Sequence, residues 1–79
     1  MSTIEQIDQL VEVANLAGID VRYEYFGGTG GGLCQIAGKR ILFMDLALSS
    51  TDQLEKVQEV LIEEGVILPP DALTYRRAS

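Results

Sequence analysis

Five glycines in six positions, Gly27-Gly28-Thr29-Gly30-Gly31-Gly32, make the one stretch of this chain whose backbone could do chemistry. Successive N–H groups in such a loop can converge on an anion, as they do around phosphates. Tyr23, Tyr25 and Arg22 precede the loop and Asp45 follows it. A candidate ligand site can therefore be drawn from Gly28, Thr29, Gly30 and Gly31 as amide donors, Arg22, Tyr23 and Tyr25 as a wall, and Asp45 as a carboxylate for acid–base work or a hard metal ion. The context argues against a nucleotide. The run lies between two strand-like segments, no Gly-Lys-Ser/Thr follows it and no helix opens there, so neither the P-loop nor the dinucleotide fingerprint is matched. A hairpin loop, or a place where another backbone passes close by, explains the glycines without any ligand. Alternating Tyr, Arg and Glu likewise decorate a strand with one solvated side.

Other chemistry is limited by composition. The chain has no histidine, which removes serine–histidine and cysteine–histidine nucleophiles and the histidine general base. One cysteine and no histidine leave no zinc site of the usual kind and no internal disulfide. Cys34 shares an alternating apolar face with Ile36, which offers nothing to stabilise a thiolate, and reads as a buried structural thiol. Asp45 with Asp20 or Glu24 could pair as carboxylates, but the spacing matches no metal loop, and an Asp closing a strand serves as a turn former. No catalytic residue, metal or cofactor is assigned.

The elements that must position these groups are legible from periodicity. Residues 3–17 place Ile4, Ile7, Leu10, Val11, Ala14 and Ala17 at helical spacing, with Ser2 and Glu5 as a capping box and Gly18-Ile19 as the stop. Residues 19–26 alternate, with Ile19, Val21, Tyr23 and Tyr25 on one side and Asp20, Arg22, Glu24 and Phe26 on the other. Residues 33–37 and 40–45 flank Gly38-Lys39, the spacing of a two-residue hairpin. That turn predicts Ala37 opposite Arg40, Ile36 opposite Ile41 and Cys34 opposite Phe43. One face then carries Cys34, Ile36, Ile41 and Phe43, and is the predicted core face because it is wholly apolar and rich in β-formers. The other carries Leu33, Gln35, Leu42 and Met44.

A second helix follows, with Ser50 and Gln53 as its capping box, Leu54, Val57, Val60 and Leu61 inward, and Gly65-Val66 as the stop. Glu59, Glu63 and Glu64 crowd its negative end and read as solvated charges or, as the alternative, partners for a cation elsewhere. Residues 66–68 are short and apolar ahead of Pro69-Pro70, an edge strand or a packed strap. Residues 38–61, with a glycine turn, an apolar strand ending in Asp45, Leu48-Ser49 and a helix, resemble the strand-and-helix segment that precedes the catalytic signature in some small bacterial zinc metallopeptidases. The defining His-Glu-x-x-His is absent, so the resemblance implies no activity and no residue role.

Seventy-nine residues suit a single domain, predicted over 1–70 with 71–79 as a tail. The predicted fold is α+β: a two-layer sandwich in the order α-β-β-β-α, with a small antiparallel sheet and both helices on one face. A domain this size has a small core and is commonly reinforced by oligomerisation. Leu33, Gln35, Leu42 and Met44, on the face the helices leave bare in this reading, are the predicted interface of a homodimer or with another protein. Twelve acidic and six basic residues give a net charge of -6, which opposes binding to nucleic acid and to anionic membrane. An acidic amphipathic start and an unpaired cysteine suit the cytoplasm. The function expected is a self-associating interaction module without catalysis, the alternative being a small-ligand or metal-binding protein, or weak enzyme, built on the glycine loop.

Overall fold

Helix α1 spans Thr3–Leu16, followed by strands β1 (Ile19–Glu24), β2 (Gly32–Ile36) and β3 (Lys39–Asp45) and helix α2 (Ser50–Glu63). The computed structural model describes residues 2–69, so the tail predicted at 71–79 lies outside the described residues. The class is α+β and the element order is α-β-β-β-α. The sheet order is β1-β3-β2, with β1 parallel to β3 and β2 antiparallel to it. The sheet is therefore mixed, which corrects the all-antiparallel expectation.

The helix ends follow the sequence signals closely. In α1 the Ser2 backbone N–H donates to Glu5 Oε1 at 2.9 Å and the Glu5 N–H donates to Ser2 Oγ at 3.2 Å, completing the capping box. The N-cap of α2 is Ser49, one residue before the expected Ser50, and its hydroxyl accepts from the Asp52 N–H at 3.2 Å. Gln53 is consequently free of any capping role and donates to the carbonyls of Leu48 and Asp45. At the other end, the Gly65 N–H donates to Ile62 O and the Val66 N–H to Leu61 O, the paired bonds of a Schellman stop.

Neither helix has a basic residue in its last turn. Arg40 of β3 supplies that charge to both. Its guanidinium donates to Ala17 O, beyond the end of α1, at 2.7 Å and to Glu64 Oε1, beyond the end of α2, at 2.9 Å. The cation thus meets a free carbonyl at the end of α1, where it offsets the helix dipole, and at the end of α2 it neutralises a carboxylate that would otherwise add to the negative end. Glu64 is thus a partner for a cation elsewhere, the alternative to its reading as a solvated charge.

The hairpin between β2 and β3 turns at Ala37-Gly38, where both residues have positive φ, 53° and 81°. This is the mirror-image turn whose twist suits a two-residue hairpin. Gly32 pairs with Phe43, Leu33 with Leu42, Cys34 with Ile41, Gln35 with Arg40 and Ile36 with Lys39. The turn sits one residue earlier than the predicted Gly38-Lys39, so each pairing shifts by two and every side chain keeps its face.

The faces are as predicted, but the helices cover the other one. Leu42 and Met44 are fully buried, and Leu33 packs against the same core with Ile7, Leu10, Ala14, Ile19, Leu54, Val57 and Leu61. Leu33, Gln35, Leu42 and Met44 therefore do not form a bare interface: the two large apolar groups on β3 are the middle of the domain. Cys34 is exposed instead of buried, and Ile36 is 52% exposed. The reason is β1. Its register with β3 sets Val21 beside Leu42 and Tyr23 beside Met44, while Asp20 and Arg22 flank Ile41 and Phe43. β1 adds Ile19 and Val21 to one face and charges to the other, so the first becomes the larger apolar surface and is the one the helices bury. Residues 66–68 are a strap, with Leu68 buried against the core and Val66 half-buried beside it.

Candidate functional site

Because β1 and β2 lie on opposite sides of β3, the chain between them must cross the C-terminal end of β3. Two strand spacings separate them, about 10 Å. Residues 25–31 make the crossing, and the glycine cluster fills most of it. Directly beneath, at the last position of β3, sits Asp45 with no exposed surface.

The Asp45 carboxylate is the ligand of this loop. Its Oδ1 accepts from the Phe26 N–H at 3.0 Å and the Ala47 N–H at 2.9 Å, and its Oδ2 accepts from the N–H groups of Gly28 at 2.8 Å and Gly30 at 3.0 Å. Desolvation works against its charge, but the bonds from Gly30, Phe26, Ala47 and Gly28 outweigh it, and the carboxyl is held below its ordinary value. The Leu46 N–H donates to Glu24 O at 2.9 Å, joining the exits of β1 and β3 just below the loop. Thr29 is exposed, and its hydroxyl donates to Phe26 O at 2.9 Å within the loop. Lys56 of α2 reaches the same loop, its Nζ lying 3.9 Å from where a Cβ on Gly30 would stand.

Gly31 shows how tightly the crossing is laid down. Its φ is +62°, and a Cβ added there would run into the carbonyl oxygen of Phe43. Only glycine lets the loop lie this close to β3. The loop is thus a place of close backbone approach, as one sequence reading of the glycines holds.

The other residues of the predicted ligand site are not brought together. Arg22 lies on the bare face and donates to Asp20 Oδ2 at 3.1 Å, an exposed pair. Tyr23 lies on the opposite, helix-covered side, where burial and then the charge of Asp8 push its phenol up. Tyr25 is 77% exposed. Gly28, Gly30 and Asp45 do meet, but they satisfy one another. Among the described residues no group of three His, Cys, Asp or Glu is placed to hold a metal ion.

The described residues also form shallow clefts. One, of about 270 Å³, lies by Arg40 and is lined by Asn15, Gly18, Ile19, Asp20 and Lys39 besides. Another, of about 350 Å³, opens on the bare face beside the glycine crossing, lined by Phe26, Thr29, Gly31, Gly32, Leu33, Cys34 and Phe43. Phe26 meets Phe43 edge to face there, with ring centroids 5.9 Å apart. Sequence reasoning missed both this patch and the role of Asp45. The available signal was an aspartate ending an apolar strand next to a run of glycines. No helix among the described residues is long and apolar enough to cross a membrane. No protein-family model, curated protein or solved structure matches the chain.

Proposed function

We propose that this chain is a small protein-interaction domain that associates with a second copy of itself and has no catalytic chemistry of its own. One observation carries the reading: both helices lie on one face of the sheet, and no helix covers the other, where Ile36 and Cys34 are exposed, Phe43 is half-buried and Ile41 is buried between its strand neighbours. The loop that could have bound an anion is filled by Asp45, which weakens the small-ligand reading and favours the interaction one. At about 25 cal/mol per Å², a few hundred Å² of apolar surface covered per subunit is worth several kcal/mol, part of it offset by lost rigid-body freedom. Association of moderate affinity is expected, not an unbreakable dimer.

Sedimentation equilibrium of the intact chain at micromolar concentration tests this. The expected species is a dimer, and Ile36→Glu should shift it to a folded monomer, since that side chain is half in solvent and its loss leaves the core untouched. An unmodified chain that stays a folded monomer throughout would overturn the proposal. A second reading rests on the 350 Å³ cleft, whose paired phenyl rings suit a small apolar ligand. Native mass spectrometry of protein taken from its own cell separates the two by showing retained ligand mass or a doubled chain.

A further inference from the structure

The sheet has two edges, and they differ in a way that bears on how two copies meet. β1 at one edge carries Asp20, Arg22 and Glu24, the kind of charge that keeps an edge strand from pairing with another chain. β2 at the other edge, Gly-Leu-Cys-Gln-Ile, carries no charge and no proline. The whole stretch 27–38 is uncharged, in a chain with twelve acidic and six basic residues. Two molecules of net charge -6 repel one another, and β2 is where they can come into contact without setting like charges face to face.

Deepening the proposed self-association, and resting on it, we infer that the second copy docks by antiparallel pairing of β2 with β2 about a two-fold axis at Cys34. The parity of the strand supports this centre. In a two-residue hairpin the residues flanking the turn, here Ile36 and Lys39, close it by hydrogen bonding, and bonded and non-bonded pairs alternate from there. Ile36, Cys34 and Gly32 therefore turn their N–H and C=O groups toward β3, and Leu33 and Gln35 turn theirs outward. A two-fold axis at Cys34 sets Leu33 against the partner's Gln35, so that the outward groups exchange bonds, and it overlaps the full length of the strand. Six strands form one sheet. On the bare face the two exposed Cys34 side chains meet and each exposed Ile36 lies over the partner's Gly32, and a strand pairing of this length sits at the small end of stable interfaces, below about 1,200 Å², in keeping with moderate affinity.

This geometry makes Cys34 its own reporter. At a non-bonded antiparallel position the two Cα atoms stand about 4.5 Å apart, within the roughly 4.4–6.8 Å a disulfide spans. Mild oxidation of the intact chain with copper phenanthroline should then link Cys34 to Cys34, each thiol losing one proton and one electron to the oxidant. Under conditions where sedimentation gives a dimer, linkage should run at least tenfold faster than for the same chain in urea, and Cys34→Ser should abolish it. A dimer that does not link faster than the unfolded chain overturns this inference and leaves self-association standing, whereas a monomer overturns both. Gln35→Pro supplies an independent check. It removes an outward N–H that β3 does not use, so the fold should persist by circular dichroism while the dimer dissociation constant rises at least tenfold. A folded Gln35→Pro chain that dimerises as tightly as the original overturns the pairing, and should the variant not fold, the oxidation result decides.

Discussion

Gly31→Ala offers the sharpest test of the crossing over β3, because Gly27→Ala serves as its control. Both positions have similar positive φ, +62° and +70°, so both variants carry the same backbone penalty for an L-residue, about 1–2 kcal/mol. Around Gly27 nothing lies within 4 Å of the new Cβ, and the penalty should end there. At Gly31 the Cβ meets the Phe43 carbonyl oxygen, with the Phe43 carbonyl carbon at 2.9 Å and Asp45 N at 3.6 Å, all main-chain atoms of β3 that no rotamer change can move. Relief requires the loop to lift away, which pulls the adjacent Gly30 N–H off the Asp45 carboxylate. Overpacking against fixed atoms adds about 1–3 kcal/mol, for a total near 2–5 kcal/mol. A domain of this length has about 4–12 kcal/mol in all. Urea unfolding followed by circular dichroism should show Gly31→Ala losing a large fraction of the stability and Gly27→Ala a small one. Equal losses in the two variants would refute the claim that the loop is pressed onto the end of β3.

Two further expectations concern the turn and the buried carboxylate. Ala37 is exposed at φ +53°, a position where asparagine is at ease, so Ala37→Asn should raise stability by about 0.5–1 kcal/mol, and an unchanged or lower urea midpoint would contradict the turn assignment. Asp45 has its folded-state carboxyl held below the ordinary value of 3.8, so its contribution is fully present above that value and is lost as pH falls through the lowered folded one. The stability gap between the parent chain and Asp45→Asn, wide at neutral pH, should therefore close in strong acid; a gap that stays constant from neutral pH to well below the ordinary carboxylate range would show that the charge is not what holds the loop.

Local structure was legible in this sequence, and the assembly of the sheet was not. Ser2 and Glu5, the Gly65-Val66 stop and the stripe through Leu54, Val57 and Leu61 each act within a turn or two of chain, and each is found where the sequence places it. The face of every residue in β2 and β3 is also as read, since moving a turn by one residue leaves side-chain parity intact. Which face becomes the core depends on a third strand. Leu33, Leu42 and Met44 are no more apolar than Ile36, Ile41 and Phe43, and the balance tips only when β1 adds Ile19 and Val21 beside the former. The placement of β1 depends in turn on whether the chain bends back or crosses over, and a run of glycines is compatible with either. The candidate site failed for the same reason: Arg22 and Tyr23 are adjacent in sequence and stand on opposite faces.

Asp45 gives the glycine loop a tethered competitor for any approaching anion. A carboxylate held at the end of a strand, already aligned with four amides, acts on them at an effective concentration far above that of a free solute, because its translational freedom has been given up in folding. A phosphate arriving from solution at millimolar levels would have to displace a group that never leaves, and would strand that group as a buried, unsolvated charge in doing so. The loop is in this sense permanently inhibited by its own chain. Glycine-rich stretches elsewhere that lie near an aspartate at a strand end invite the same question, whether the anion they were shaped to hold is one the protein already carries.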